Sequence, residues 1–121
     1  MTTVLLVDDS RVTREVMKIS LVAAGMQTLD AANGAEALEV IRAHRPNVVV
    51  ADLQMPKLDG VGLCLAVRQD AMLAEIPIVI VTSSADTSAR SRCLSAGAHA
   101  VLTKPLNPKD LLDVFQRLQV A

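Results

Sequence analysis

The sequence predicts an α/β domain in which a doubly wound, five-stranded parallel sheet is flanked by five helices. Three observations carry this. Short apolar runs rich in β-branched residues alternate with stretches of helical period along the 121 residues, the order that builds successive βαβ units. The strongest runs are apolar throughout instead of alternating, which suits strands buried on both faces. Cap and turn residues stand at the junctions.

Each element has its own signal. Thr3 to Val7 is a first strand, ending in two acids. Arg11 to Ala24 has a helical period, with Val12, Val16, Ile19 and Ala23 forming the stripe expected to face the core, and Gly25 as its stop. Gln27 to Ala31 carries polar Thr28 and Asp30, which fits an edge strand. Asn33-Gly-Ala-Glu36 reads as an N-cap with Glu at N3, opening a helix to about His44. Asn47 to Ala51 is a third strand. A helix over Leu58 to Ala71 follows, then a strand over Ile76 to Val81. The next helix, Asp86 to Ala96, stops at Gly97, and His99 to Thr103 is the fifth strand. Asn107-Pro108 is a cap followed by Pro at N1, opening a last helix with Leu111, Leu112, Phe115 and Leu118 inward. Right-handed crossovers lead to the flavodoxin-like strand order 2-1-3-4-5. Its ligand crevice lies outside the C-terminal strand ends, between strands 1 and 3.

Composition narrows the classes. A chain of this length is one domain, 1–121, able to bury a core without disulfides or a structural metal. It is 51% hydrophobic and 21% charged with a formal net charge of -1, so nothing in it argues for direct nucleic-acid binding. Cys64 and Cys93 lie far apart in sequence and read as reduced thiols of a cytoplasmic protein. No leader pattern or bilayer-length apolar run occurs, so no membrane insertion is expected. His44 and His99 have no ligand spacing, and the methionines read as packing residues.

The chemistry lies at the C-terminal strand ends. Strand 1 supplies Asp8 and Asp9, strand 3 Asp52, strand 4 Thr82 and strand 5 Lys104. The predicted fold gathers these at one mouth. Crowded carboxylates repel and raise the pKa of at least one of them. A divalent cation relieves that conflict. Carboxylate oxygens with no nearby His or Cys suit a hard ion, and Mg²⁺ is the usual choice beside phosphate. A lysine and a hydroxyl complete a set fit for phosphoryl transfer to a carboxylate.

Four segments then carry a family resemblance across the whole chain: Val7-Asp8-Asp9-Ser10, Asp52-Leu-Gln-Met-Pro-Lys-Leu-Asp-Gly60, Val81-Thr82-Ser83 and Lys104-Pro105. Each alone is weak. All four in order are specific, and together they resemble the receiver domain of bacterial two-component response regulators. The resemblance implies that Asp52 is the phospho-acceptor. It implies that Asp8, Asp9, Asp52 and the backbone carbonyl of Gln54 hold Mg²⁺. It also implies that Thr82 and Lys104 bind the phosphoryl group and that the Lys104-Pro105 peptide is cis. The partners it implies are a sensor histidine kinase or histidine phosphotransfer protein and a downstream protein target or output domain, with the domain a monomer or weak dimer. Signalling is expected through the face of helix 4, strand 5 and helix 5. Helix 4 is expected to be its soft part, since Ser83 to Cys93 is rich in Ser, Thr and Asp.

Two departures stand out. Many receivers place Tyr or Phe three residues before the strand-5 lysine, where this chain has Val101. The acids and arginine of symmetric receiver dimers are missing at His99-Ala-Val101 and at Val114. Two other classes fit these residues less well. A small Mg²⁺-dependent phosphohydrolase using Asp52 as nucleophile would want D-x-D-x-T or D-x-D-x-V, which Asp52-Leu-Gln breaks. A flavodoxin-like nucleotide binder would want a phosphate loop where Asp8-Asp9 stands. Beyond accepting a phosphoryl group and losing it slowly, no enzymatic activity is expected.

Overall fold

The computed structural model describes residues 1–84 and 86–120. Ala85, within the polar run before the fourth helix, and Ala121, at the end of the expected domain span, lie outside the described residues. Five strands and five helices alternate: β1 Thr3–Val7, α1 Arg11–Ala23, β2 Gln27–Ala31, α2 Gly34–His44, β3 Val48–Asp52, α3 Gly60–Gln69, β4 Ile78–Thr82, α4 Thr87–Ser95, β5 Ala100–Thr103 and α5 Pro108–Arg117. The strands form one sheet in the order β2-β1-β3-β4-β5, and every pairing is parallel. This is the architecture the alternation predicted.

Strand alternation sends successive residues to two separate cores. Leu5, Val7, Val49, Ala51, Ile78 and Ile80 pack with α2, α3 and α4 through Ala37, Ile41, Leu63, Cys64, Val67 and Cys93. Val4, Leu6, Val48, Val50, Val79 and Val81 face the other way and pack with Leu21 of α1 and with Leu111, Val114 and Phe115 of α5. Both cysteines are buried free thiols, and burial pushes the Cys64 thiol up to about 12.

Helix starts follow cap chemistry. Ser10, Asn33, Asp59, Asp86 and Asn107 each accept a backbone N–H of the first turn. The Asp59 cap explains why α3 begins at Gly60, two residues later than predicted. Strand β4 begins at Ile78, not Ile76. The Ile76 N–H is spent on the Leu73 carbonyl, and Pro77 has no N–H to give the ladder.

The expected inner stripe of α1 is wrong. Val12, Val16, Ile19 and Val22 are exposed, Val12 at 74% and Ile19 at 72%, and Ala23 is exposed too. The inward line is instead Met17 and Leu21, of which only Leu21 is fully buried. The sequence of α1 carries two apolar lines, and the sheet receives the narrower one. In α5, Leu112 and Leu118 are half-buried beside fully buried Leu111 and Phe115.

A candidate phosphoryl-acceptor site at the strand ends

The parallel sheet delivers its chemistry to one edge. Asp8 follows the last residue of β1, and its N–H is tied to the Ala31 carbonyl at the end of β2 (3.1 Å). Asp52 is the last residue of β3 and Thr82 the last of β4, while Lys104 follows β5. Carboxylate oxygens of Asp8, Asp9 and Asp52 lie within 4.8 Å of one another. Asp8 is buried at 2% exposure, Asp52 is half-buried and Asp9 faces solvent. The three carboxylates that the sequence singled out therefore lie together. The fold adds that they present a graded depth.

Lys104 stands between the two deeper acids. Its Nζ donates to Asp52 Oδ2 at 3.1 Å and to Asp8 Oδ2 at 3.4 Å. Burial alone would lower the lysine's pKa, but hydrogen bonding and charge from Asp52 and Asp8 outweigh it and hold the ammonium above its ordinary value. Burial pushes the Asp8 carboxyl up, against the opposing pull of the Ser10 N–H and the Lys104 charge. Among the described residues, three acids stand around one ammonium, which touches two of them. Such a donor set, all hard oxygen with an open exposed side at Asp9, fits a small divalent cation.

The remaining predicted residues sit around this centre. Gln54 donates its N–H to Asp52 Oδ1 (3.3 Å), which fixes the strand-to-loop turn beside the acid. Thr82 is buried, and its hydroxyl is engaged with the backbone of Ser84: it donates to the carbonyl and accepts the N–H, each at 3.2 Å. It is thus near the site by position but committed to its own loop. The Lys104-Pro105 peptide is cis.

The loop after β3 is braced from two sides. Gly60 N–H donates to the Leu53 carbonyl at 2.8 Å, and Gly34 N–H at the start of α2 donates to the Leu58 carbonyl at 3.1 Å. A side chain at position 34 would place its Cβ 2.3 Å from the Leu58 carbonyl oxygen. Lys57, in the same loop, holds φ at 68°, a left-handed conformation that costs a non-glycine residue.

Arg14 escaped sequence reasoning. From the first turns of α1 its guanidinium reaches back to the Asp8 carbonyl oxygen, and its Nε pairs with Asp30 Oδ2 at 3.2 Å. An arginine near the helix start and an acid near the end of the neighbouring strand were the available signals. Neither one alone separates a surface charge from a contact.

A doubly wound parallel sheet whose switch-point mouth holds three carboxylates and a lysine just past the last strand defines a class of phosphoryl-responsive α/β domains. The chain belongs to the response regulator receiver domain family, whose sequence profile matches residues 4–116. It is 38% identical over 108 residues to the probable transcriptional regulator ycf27 of Porphyridium aerugineum, covering 89% of this chain and 44% of that protein. It is 31% identical over 110 residues to the phosphate regulon transcriptional regulatory protein PhoB of Pseudomonas aeruginosa, covering 91% and 48%. The chain therefore spans about half the length of these curated relatives. Among solved structures, a putative response regulator from Chloroflexus aurantiacus superposes with TM-score 0.93 at 33% identity, covering 99% of this chain and 98% of that one. The chemotaxis response regulator CheY4 of Vibrio cholerae gives TM-score 0.91 at 34% identity, covering 98% of each. This is a receiver domain of two-component signalling, and the phosphohydrolase alternative finds no support in these comparisons. No helix among the described residues is long and apolar enough to cross a membrane.

Proposed function

We propose that Asp52 accepts a phosphoryl group from a phosphohistidine on a sensor histidine kinase or phosphotransfer protein. The observation that carries this is the Lys104 ammonium held by Asp52 and Asp8 at the mouth where Asp9 also stands. In the transfer, an Asp52 carboxylate oxygen attacks phosphorus. The phosphorus–nitrogen bond of the donor breaks, and its electron pair stays on the imidazole. Lys104 then exchanges a carboxylate oxygen for a phosphoryl oxygen, which keeps the ammonium neutralised. Thr82 gives up its bond to the Ser84 carbonyl and donates to the phosphoryl group. Asp8, Asp9, Asp52 and the Gln54 carbonyl would hold Mg²⁺, which when bound supplies positive charge to the transferred oxygens. Water later attacks the phosphorus of the acyl phosphate, which releases inorganic phosphate and restores the Asp52 carboxylate.

The donor has an approach. The exposed line Val12, Val16 and Ile19 of α1 runs beside a cleft of about 310 Å³ that is lined by Val16, Met17, Asp52, Lys104 and Leu106. A helical donor docked on this line brings its histidine to the cleft that Asp52 and Lys104 line.

The signal leaves through α4, β5 and α5 to a downstream protein or output domain. Helix α4 buries only Ala89 and Cys93, so its anchorage is weak. With Val101 in place of a ring, the side-chain tie observed between α4 and β5 is Arg90, whose Nη1 donates to the Val101 carbonyl at 3.1 Å.

The test is direct. Wild-type protein incubated with acetyl phosphate and Mg²⁺ should gain one phosphoryl mass, and Asp52→Asn should gain none. Labelling of Asp52→Asn at the wild-type level would refute the assignment.

A further inference from the structure

We infer that Arg14 is a positioning residue for the metal-binding acid Asp9, acting through the peptide that joins Asp8 to Asp9. The inference rests on the reading of the acidic cluster as a divalent-cation site.

The peptide between residues 8 and 9 sets where the Asp9 carboxylate points. On its N-terminal side, four bonds hold Asp8, one of them the Lys104 contact to its Oδ2 at 3.4 Å. Its N–H is tied to Ala31 at 3.1 Å, and its Oδ1 accepts the Ser10 N–H at 2.8 Å. Its carbonyl accepts the Arg14 guanidinium. The bonds to Ala31, Ser10 and Lys104 fix the strand end and the side chain of Asp8. The bond from Arg14 is the one made to the peptide leading into Asp9, and it fixes that peptide's plane. Asp9 itself is exposed, and no hydrogen bond to its side chain is recorded among the described residues. Its orientation therefore depends on the backbone that carries it.

Arg14 is suited to hold that plane. Its side chain is only 13% exposed, and Asp30 pins the guanidinium at Nε, which leaves the outer nitrogens for the carbonyl. Asp30 is itself shared with Lys18 at 3.2 Å, so the anchor belongs to a three-residue network on α1 and β2. The planar fork serves two acceptors in a fixed geometry, which a lysine's compact ammonium on a flexible stem does not reproduce.

Positioning and plain electrostatics predict opposite signs here. Arg14 brings a positive charge to the Asp8 carbonyl, beside the acidic cluster. If that charge were all it contributed, its removal would strengthen the attraction for a cation. If it orients a ligand, its removal weakens binding. Loss of a residue that orients a metal ligand typically costs tenfold or more in affinity.

The experiment measures Mg²⁺ affinity of wild type, Arg14→Met and Arg14→Lys by calorimetry, since the chain has no Trp or Tyr to report by fluorescence. Urea unfolding in EDTA runs alongside. The expected result is that Arg14→Met stays folded in EDTA and binds Mg²⁺ about tenfold more weakly, with Arg14→Lys in between. Labelling of Arg14→Met by acetyl phosphate should recover when Mg²⁺ is raised to saturation. Mg²⁺ affinity equal to wild type or tighter in folded Arg14→Met overturns the proposal. Should that variant fail to fold, Arg14→Lys decides, and wild-type affinity there overturns it equally. A wild-type protein that binds no Mg²⁺ overturns the metal-site reading and this inference with it, an outcome distinct from a variant that matches a metal-binding wild type.

Discussion

Replacing Lys104 with methionine keeps the aliphatic stem and deletes the one ammonium that touches the acidic cluster. At 3.1 Å from Asp52 and 3.4 Å from Asp8, each ion pair has a gross attraction of roughly 5 kcal/mol at an effective dielectric of about 20. Most of this is offset by desolvation of the charges, and water still reaches Lys104, whose side chain is 30% exposed. What remains is the cost of leaving Asp8, at 2% exposure, and Asp52 facing each other without a counter-charge. We expect Lys104→Met to lose about 2 kcal/mol of stability at neutral pH in EDTA. Mg²⁺ changes the result. Removing a positive charge beside the cation site strengthens cation binding by about 1 kcal/mol, or roughly fivefold. Saturating Mg²⁺ returns that difference to the folded state by linkage, so the variant's deficit there should shrink to about 1 kcal/mol. Urea unfolding followed by circular dichroism, with EDTA and with saturating Mg²⁺, reads both numbers, and calorimetry checks the affinity. A deficit that is equal in the two conditions, with unchanged Mg²⁺ affinity, would show that Lys104 is not the counter-charge of these acids.

Three further outcomes are expected. Gly34→Ala should cost about 2 kcal/mol or more by urea unfolding, because the new Cβ would lie 2.3 Å from the Leu58 carbonyl, an overpacking that backbone cannot relieve cheaply. Lys57→Gly should gain up to about 1 kcal/mol, since φ of 68° costs lysine but not glycine; a loss of stability would mean that the lysine side chain is held by contacts. His99 accepts at Nδ1 from the Ile78 N–H (3.3 Å) and sits 3.0 Å from an Arg68 guanidinium nitrogen. Burial, with the Arg68 charge, lowers its pKa below the ordinary 6.5. The neutral ring is thus the folded form, and its stability contribution is complete above pH 6.5 and is lost as pH falls through the lowered value. His99→Asn retains an acceptor at that place without titrating, so its stability should vary less with pH below 6.5. Identical pH profiles for the variant and wild type would exclude His99 as the titrating group.

The fold and the centre of the site were legible in the sequence for physical reasons that are local. Continuous β-branched runs mark strands buried on both faces. Asn33 and Asn107 mark helix starts through bonds spanning three and two residues. A parallel order then places Asp8, Asp52, Thr82 and Lys104 at one edge whatever their side chains do. Tertiary structure alone decided the rest. Helix α1 carries two apolar lines, and only the docking of α5 and the sheet selects Met17 and Leu21 over Val12, Val16 and Ile19. Thr82 turns its hydroxyl to Ser84, and Lys104 divides its ammonium between two acids. Arg14 reaches from a helix to a strand-end carbonyl. These contacts depend on distances between segments far apart in the chain, which periodicity and capping do not encode.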